Sequence, residues 1–339
     1  MIRKNAMADD SQKPDVSIVV VSFNTAGLTL QCLEKAQAYK GGLRCEVIVV
    51  DNASHDGSAD MVADKFPQAR LIRLSKNRGF AGGNNPGIRA ATGRYVLLLN
   101  SDAFLVPGVL ENTVAYMDAN PGIGVLGCKL TNPDGSLQPS ARMLPGPLNK
   151  ILHISGLASR FPKSRFFGRI DFSWWDHSTP RSVGWVVGAF FMIRHVVVEQ
   201  IGGLDERYFL YFEEIDFCRT ARRAGWDVLF YPFASVVHLG GQSSAGTSER
   251  RSVSGSQLTG IRITSELRYY RKWFGPAPAL LMAGIEISWN AVVWLRNLFR
   301  RSELGAFRRQ EAAAMIGLIA STLVRNKLGA YKQPQEAGQ

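Results

Sequence analysis

Cysteine is scarce in this 339-residue chain: four, Cys32, Cys45, Cys128 and Cys218, stand far apart. No CxxC pair and no Cys/His cluster occurs, which excludes a zinc finger or ribbon and a disulfide-stapled scaffold. Reduced, partly buried thiols of a cytosolic protein are expected instead. The Gly-rich stretch Gly79-Phe80-Ala81-Gly82-Gly83-Asn84 is neither a GxGxxG fingerprint nor a Walker loop, so it lacks the usual signature of a nicotinamide dehydrogenase or of a P-loop NTPase. Met1 to Pro14 is polar without an apolar core, so no signal peptide is expected, and residues 1–14 and 331–339 read as disordered ends. Low-complexity tracts are few, and 46% of the residues are hydrophobic, enough for a buried core.

Acidic charge is also short: 28 Asp and Glu stand against 40 Lys and Arg, a formal net charge of +12. Such an excess asks for an anionic partner, whether nucleic acid, nucleotide phosphates or an acidic lipid surface. Residues 262–339 hold twelve Lys/Arg and five Asp/Glu, so +7 of the excess lies there. The same segment contains two apolar stretches. Ala277–Leu295 carries Glu286 and Asn290 one helical turn apart, and Ala312–Val324 is too short to span a bilayer as a straight helix. Arg296, Arg300, Arg301, Arg308, Arg309, Arg325 and Lys327 flank them, with Trp289, Trp294 and Phe299 as interface-type aromatics. The pattern suits amphipathic helices lying on an anionic leaflet. A helical subdomain packed on the core is the competing reading. No RNA-binding motif accompanies the charge, so no nucleic-acid partner is expected.

Short β-branched runs alternate with helical segments through the first 130 residues. Strands are expected at Val16–Ser22, Glu46–Val50, Arg70–Leu74, Tyr95–Leu99 and Gly124–Leu130. Helices are expected at Thr29–Tyr39, Ser58–Phe66, Gly82–Ala91 and Val109–Asp118, the third with Asn84 or Asn85 as N-cap and Pro86 in its first turn. This alternation implies an α/β fold, a mostly parallel sheet flanked by helices, with ligands in the crevice beyond the carboxyl ends of the strands. Asn24, Asp51, Asn77 and Asn100–Asp102 end strands and should line that rim. Residues 132–182 read as a long, partly mobile excursion. Val183–Ile193 then reads as a strand, Asp216–Ala224 as a helix, Asp227–Tyr231 as extended, and Gly240–Ser256 as a flexible loop.

Several residues carry candidate chemistry. Asp51 can accept a hydrogen bond from a base N–H or a ribose hydroxyl. Asp102 is a hard oxygen ligand at the end of a hydrophobic strand, and Mg²⁺ and Mn²⁺ use one or two carboxylates plus substrate phosphates. His238, before Gly240-Gly241, is a second candidate ligand, although a lone His is more often structural. Tyr211-Phe212-Glu213-Glu214-Ile215-Asp216 sets three acids among Phe209, Tyr211, Phe212 and Phe217. Carboxylates in such company are paired, metal-bound or used, and burial would raise a pKa as a general base requires. The bland alternative has Glu213 capping a helix that starts near Asp216, with Glu214 meeting Arg219 or Arg222.

Taken together, Val16–Asn24, Val50-Asp51-Asn52-Ala53-Ser54, Asn77–Asn85, Leu99-Asn100-Ser101-Asp102 and Tyr211–Cys218 resemble glycosyltransferase family 2, with its nucleotide-sugar-binding GT-A fold. Gly188-Ala189 and Gly202-Gly203-Leu204-Asp205 also fit, and the rhamnosyltransferase-like branch is the most similar. The resemblance implies a GT-A catalytic domain over residues 15–260, its nucleotide-sugar half about 15–130 and its acceptor half about 131–260. An amphipathic helical, membrane-associating extension over 261–330 would follow. It implies Asn24, Asp51, Asn77, Gly82, Asn84 and Ser101 at the nucleotide, with Asp51 on a pyrimidine base. Asp102 and His238 would hold a divalent metal, Mn²⁺ or Mg²⁺, although Asn100 replaces the acid many relatives carry. Trp185, Gly188 and Ala189 would line the acceptor or donor sugar. Glu214 matches the catalytic base, where Asp is commoner, with Glu213 and Asp216 as supporting or alternative acids.

The activity implied is inverting transfer of a sugar, L-rhamnose from dTDP-rhamnose being favoured, to a lipid-linked or polysaccharide acceptor in cell-surface glycan synthesis. It would take place peripherally on the cytoplasmic face of the inner membrane. UDP-hexose or UDP-galactofuranose transfer, and a non-catalytic carbohydrate-binding or assembly protein of the same fold, are the alternatives.

Overall fold

The computed structural model describes residues 13–240 and 257–325. The expected disordered ends, apart from residues 13 and 14, the 240–256 loop beyond Gly240, and Lys327 lie outside the described residues. In chain order the first part comprises β1 (Val16–Ser22), α1 (Ala26–Ala38), β2 (Cys45–Asp51), α2 (Ser58–Lys65), β3 (Arg70–Arg73), α3 (Gly79–Ala90), β4 (Tyr95–Asn100), β5 (Ala103–Phe104), α4 (Val109–Ala119) and β6 (Ile123–Thr131). Then come β7 (Leu137–Gln138), β8 (Ala141–Arg142), α5 (Pro147–Ile154), α6 (Leu157–Arg160), a 3-10 turn at Phe167–Arg169, β9 (Arg181–Ser182), β10 (Trp185–Val186), β11 (Phe190–Arg194), α7 (His195–Ile201), α8 (Glu213–Arg223) and β12 (Asp227–His238). Three helices close the described chain: α9 (Gln257–Phe274), α10 (Pro276–Arg296) and α11 (Glu303–Arg325).

The main sheet runs β3-β2-β1-β4-β11-β6-β12-β5, with β7 added on β6 and β9 on β12. Strands β3, β2, β1 and β4 are mutually parallel, while β11 enters antiparallel between β4 and β6. Continuous apolar runs arise because both faces are covered. Val16, Ile18 and Val20 of β1 pack with Leu30 and Leu33 of α1, whereas Val19 enters the opposite cluster with Ile88 of α3.

Helix α3 starts at Gly79, not at Gly82 as the asparagines suggested, and Arg78 is the residue before it. Gly79 has φ +70°, and a Cβ there would lie 1.9 Å from Phe209 O, so only glycine fits this close approach. The Phe80 N–H donates to that same carbonyl at 2.7 Å. A tertiary contact therefore sets the helix start. Asn84 and Asn85 are interior, Asn85 binding both the N–H and the C=O of Leu204, and Pro86 lies well past the first turn.

The stretch expected as one strand at Val183–Ile193 is broken. Its first half, β10, pairs with β8 in a separate two-stranded sheet, and only β11 joins the main sheet. The apolar run is continuous, but its two halves find different partners. The excursion over 132–182 folds into short elements, with Arg181 stacked on Trp174 and Trp175 at 4.9 and 4.6 Å from the ring centres. Helix α11 also exceeds the expected Ala312–Val324, reaching 23 residues.

The C-terminal helices pack on the rest of the chain. Tyr269 and Tyr270 of α9 and Ala279 and Met282 of α10 cluster with Tyr208 and Ile215. A second cluster, with Ile263, Ala283 and Met315 among its members, joins all three helices. Lys150 of α5 is buried between Glu266 and Glu286, at 2.7 and 2.5 Å. Glu286 thus has a cation inside the protein. Among the described residues α10 is the helix long and apolar enough, by length and composition, to cross a membrane, at 21 residues and mean hydropathy 1.4.

Candidate active site

The parallel register brings polar strand ends to one rim. Ser22 is level with Asp51, and Val21 with Asn100. Asp51 is 5% exposed; its Oδ2 accepts the Ser54 N–H at 3.2 Å, and its Oδ1 is enclosed with no partner. A buried carboxylate oxygen without a donor costs about 1–3 kcal/mol or more unless a ligand satisfies it. Asn24, with φ +52°, holds the same loop by accepting the His55 N–H at 2.8 Å. Asn77 Oδ1 accepts from Asn52 Nδ2 and from the Gly79 N–H, joining the rim to the start of α3. Ser101 is buried against Thr25, their hydroxyls 3.1 Å apart.

Asp102 and His238 are neighbours because the chain reverses after β4. Strand β5 runs antiparallel to the end of β12, with Ala103 opposite His238. Asp102 Oδ1 lies 3.3 Å from His238 Nε2, both side chains being buried. His238 Nδ1 lies 2.6 Å from Gln138 Oε1. With that oxygen as acceptor Nδ1 carries a proton, and in the neutral tautomer this selects, Nε2 presents its lone pair toward Asp102. Asn100 Nδ2 donates weakly to Nε2 at 3.4 Å. No group of three or more His, Cys, Asp or Glu able to hold a metal exists among the described residues. A carboxylate and a neutral imidazole nevertheless fit a divalent cation whose remaining ligands are substrate phosphates and water.

The acidic motif opens α8. Tyr211 and Phe212 both have left-handed backbone, φ +67° and +72°, immediately before Glu213. Two consecutive non-glycine residues there cost of order 1–3 kcal/mol each, and such strain gathers at functional sites. The turn is fastened on two sides, by Phe80 N–H on Phe209 O and by Ser265 Oγ of α9, which donates to Leu210 O at 2.9 Å. Glu213 is buried, Glu214 is partly exposed, and each has an enclosed Oε2 without a partner. Burial pushes the Glu214 carboxyl up from 4.5 to about 7, against the backbone N–H groups of Glu214 and Ile215. Burial raises Glu213 well above its ordinary value, and the adjacent Glu214 charge adds to the shift.

The sequence model of the family described as Glycosyl transferase family 2 matches residues 17–202. The chain belongs to glycosyl transferase family 2. It is 30% identical over 204 residues to an N-acetylglucosaminyl-diphospho-decaprenol L-rhamnosyltransferase of Mycobacterium tuberculosis, a match covering 57% of this chain and 66% of that protein. It is 40% identical over 107 residues to the succinoglycan biosynthesis protein ExoO of Rhizobium meliloti, covering 31% of this chain and 30% of the relative. The chain therefore spans less than two thirds of either relative's length. A mannosyltransferase of Pyrobaculum calidifontis, solved with GDP-Man and Mn²⁺, shares the fold with a TM-score of 0.52 at 16% identity, over 93% of this chain and 88% of that one. The fold is GT-A, as the resemblance implied.

In this family 2 chain the three acids of the motif separate. Asp216 is occupied structurally: Lys272 donates to Oδ2, and Trp273 Nε1 to Oδ1, each at 2.6 Å, and Tyr208 OH adds a bond at 3.3 Å. Glu214 meets neither arginine, since Arg219 donates to Tyr269 OH and Arg222 to Val183 O. The aromatics next to the acids in sequence do not all enclose them. Phe209 and Tyr211 are 42% and 36% exposed, whereas Phe217 is buried, as are Tyr208 and, from α9, Tyr269 and Tyr270. Gly82 faces Arg78, where a Cβ would meet Arg78 Cβ at 2.6 Å, and Asn84 Nδ2 donates to Phe80 O within its own helix. Gly188 faces the Phe80 ring, Ala189 O accepts the Asn100 N–H, and Trp185 Nε1 donates to Met143 O.

Several contributors escaped the sequence. Asn52 stood inside a quoted motif without a role, and it binds Asn77, Arg78 N–H and Gly79 O. Gln138, Ser265 and Lys272 come from distant segments with no local signal.

The raised carboxyls predict a pH-dependent stability. Their folded values exceed 4.5, so the native state holds these protons more tightly than the unfolded chain. The pair's contribution is complete below about 4.5 and is lost as pH rises through the raised values. Glu213→Gln should therefore gain thermal stability over wild type between about pH 5 and pH 8. Paired melts across that range check it; a gap that stays constant with pH contradicts it.

Proposed function

We propose that the chain is an inverting glycosyltransferase that uses a pyrimidine nucleotide diphosphate sugar, dTDP-L-rhamnose in the favoured reading, and a lipid-linked acceptor. The observation that carries the proposal is one continuous set of contacts. It runs from Asp51 and Asn52 through Asn77 and Gly79 to Phe209 and the strained turn before Glu213 and Glu214. These contacts join the nucleotide candidates to the base candidates, which supports reading them as one site. The rhamnose donor and the diphosphate-linked acceptor are supported by what the mycobacterial relative's name states, and a diphosphoundecaprenol acceptor recurs in the name of an Escherichia coli glucosyltransferase, 31% identical over 107 residues. Donor half, acceptor half and basic helical extension follow the division drawn from the sequence, with the extension resting on the anionic cytoplasmic face of the inner membrane.

In this mechanism Asp51 Oδ1 accepts the base N–H or a ribose hydroxyl and Asn24 shapes the loop beside it. Glu214 takes the proton of the acceptor hydroxyl. The acceptor oxygen bonds to the anomeric carbon as the bond from that carbon to the diphosphate oxygen breaks on the opposite face, giving inversion. Asp102 and His238 would hold a divalent cation, which when bound neutralises charge on the leaving diphosphate. Glu213, buried next to Glu214, discourages a second charge and so keeps the pair's affinity for one proton high.

Calorimetry tests the nucleotide half. UDP or dTDP should bind more tightly than ADP, and Asp51→Ala should weaken the pyrimidine nucleotides by about tenfold, the loss of one hydrogen bond to a charged group. Equal affinity for ADP, or an unchanged mutant, defeats the assignment.

A further inference from the structure

We infer that the apolar groove between α5 and α10 receives the polyprenyl chain of the lipid-linked acceptor; this rests on the reading of the acceptor given above. The groove has a volume of about 530 Å³ and is lined by Ile151 and Ile154 of α5 and by Leu281, Ile285, Trp289 and Val292 of α10, with two serines as its polar lining. That is the size range of small-ligand sites. Its walls are not sealed: Leu281, Val292 and Ile151 are 58%, 47% and 42% exposed, a large apolar exposure on neighbouring helices.

Where the groove begins argues for its occupant. Leu144, just before α5, and Ala279, Met282 and Ile285 of α10 belong to the cluster that holds Tyr208, Phe212 and Ile215, the residues around the acidic turn. The α10 wall, through Ile285, therefore continues from the residues packed around the acidic turn, and the chain leading into α5 meets the same residues at Leu144. A hydrocarbon chain in the groove would run outward from a sugar held at the acids. Charge complements this path. Arg296 ends α10 and Arg300 and Arg301 follow it, next to the exposed Leu295 and Phe299, an arrangement suited to the phosphate-bearing surface from which such a lipid comes. The buried Lys150–Glu266–Glu286 group ties α5 to α9 and α10, so the two walls keep a fixed separation.

Gly284 supplies the test. It lines the groove, and a Cβ there meets nothing within 4 Å, so a side chain at this helical position starts in open space beside the groove. The full chain in detergent is assayed for retention of radiolabelled decaprenyl diphosphate, and separately for binding to phosphatidylglycerol vesicles. Gly284→Phe should retain the prenyl probe at least tenfold less than wild type, Gly284→Ala should retain it normally, and vesicle binding should be the same for all three. Normal retention by Gly284→Phe, no retention by wild type, or parallel loss of vesicle binding overturns the proposal, the last making the groove a plain bilayer contact. Failure of the transfer reading shows separately, as prenyl retention without nucleotide release from any sugar donor.

Discussion

Glu214→Gln should slow sugar transfer by about 10²-fold or more, the usual worth of a positioned base. Glutamine keeps the size and the polar end of the side chain but cannot take a proton. Because Glu214 acts on the acceptor alone in this account, nucleotide-sugar and metal affinity should stay within experimental error of wild type. Glu214→Asp should retain part of the rate, since the carboxylate survives with a shorter reach. The carboxyl lies near 7, so the wild-type rate should climb with pH through that value and then level. Glu214→Gln should lose that limb. The same substitution at Asp216 should behave differently, because its carboxylate binds Lys272 and Trp273 of α9. Lys272 keeps Asp205 at 3.0 Å when the Asp216 carboxylate is removed, whereas Trp273 Nε1 loses its acceptor, so this substitution should cost stability by loosening α9 from the motif. A Glu214→Gln enzyme with near-normal turnover rejects the base assignment.

Asp102→Ala should abolish transfer to the limit of detection while circular dichroism stays unchanged. The side chain sits at the start of a reversal whose backbone bonds, including Leu239 N–H to Asp102 O, do not need the carboxylate. What the substitution removes is the oxygen that faces His238 Nε2. EDTA in excess should reproduce the loss in wild type, and Mn²⁺ should restore it there but not in Asp102→Ala. His238→Ala should weaken metal use less, because neutral imidazole contributes less to a hard cation than a carboxylate does. Full activity in excess EDTA contradicts the metal requirement.

The parts of the fold that were legible in the sequence are those with local causes. Val16–Ser22 and Tyr95–Asn100 are β-branched or leucine runs buried on both faces, and each ends in a polar residue at the rim. Asp51, Asp102 and the acids after Phe212 stood out for the same reason, as charge where apolar patterning stops. The errors have non-local causes. Gly79 starts α3 because its backbone meets Phe209 far along the chain, so counting caps among the asparagines missed the boundary. Val183–Ile193 is uniformly apolar, and pairing with β8 on one side and β4 on the other divides it. The role of α9 was invisible: Ser265, Lys272 and Trp273 reach the acidic motif only after folding, and nothing in their own neighbourhood marks them. Hydropathy leaves the C-terminal segment either as a membrane-surface element or as a subdomain packed on the core, and its first helix packs on the acidic motif.

Nucleotide release from a panel of nucleotide sugars tests the central claim most directly, measured with Mn²⁺ and a polyprenyl-diphosphate-linked N-acetylglucosamine acceptor. The account predicts release of a pyrimidine nucleoside diphosphate, fastest from dTDP-L-rhamnose, dependent on the acceptor and lost in Glu214→Gln. Release from no sugar donor by the wild-type chain, or equal release by wild type and Glu214→Gln, contradicts it.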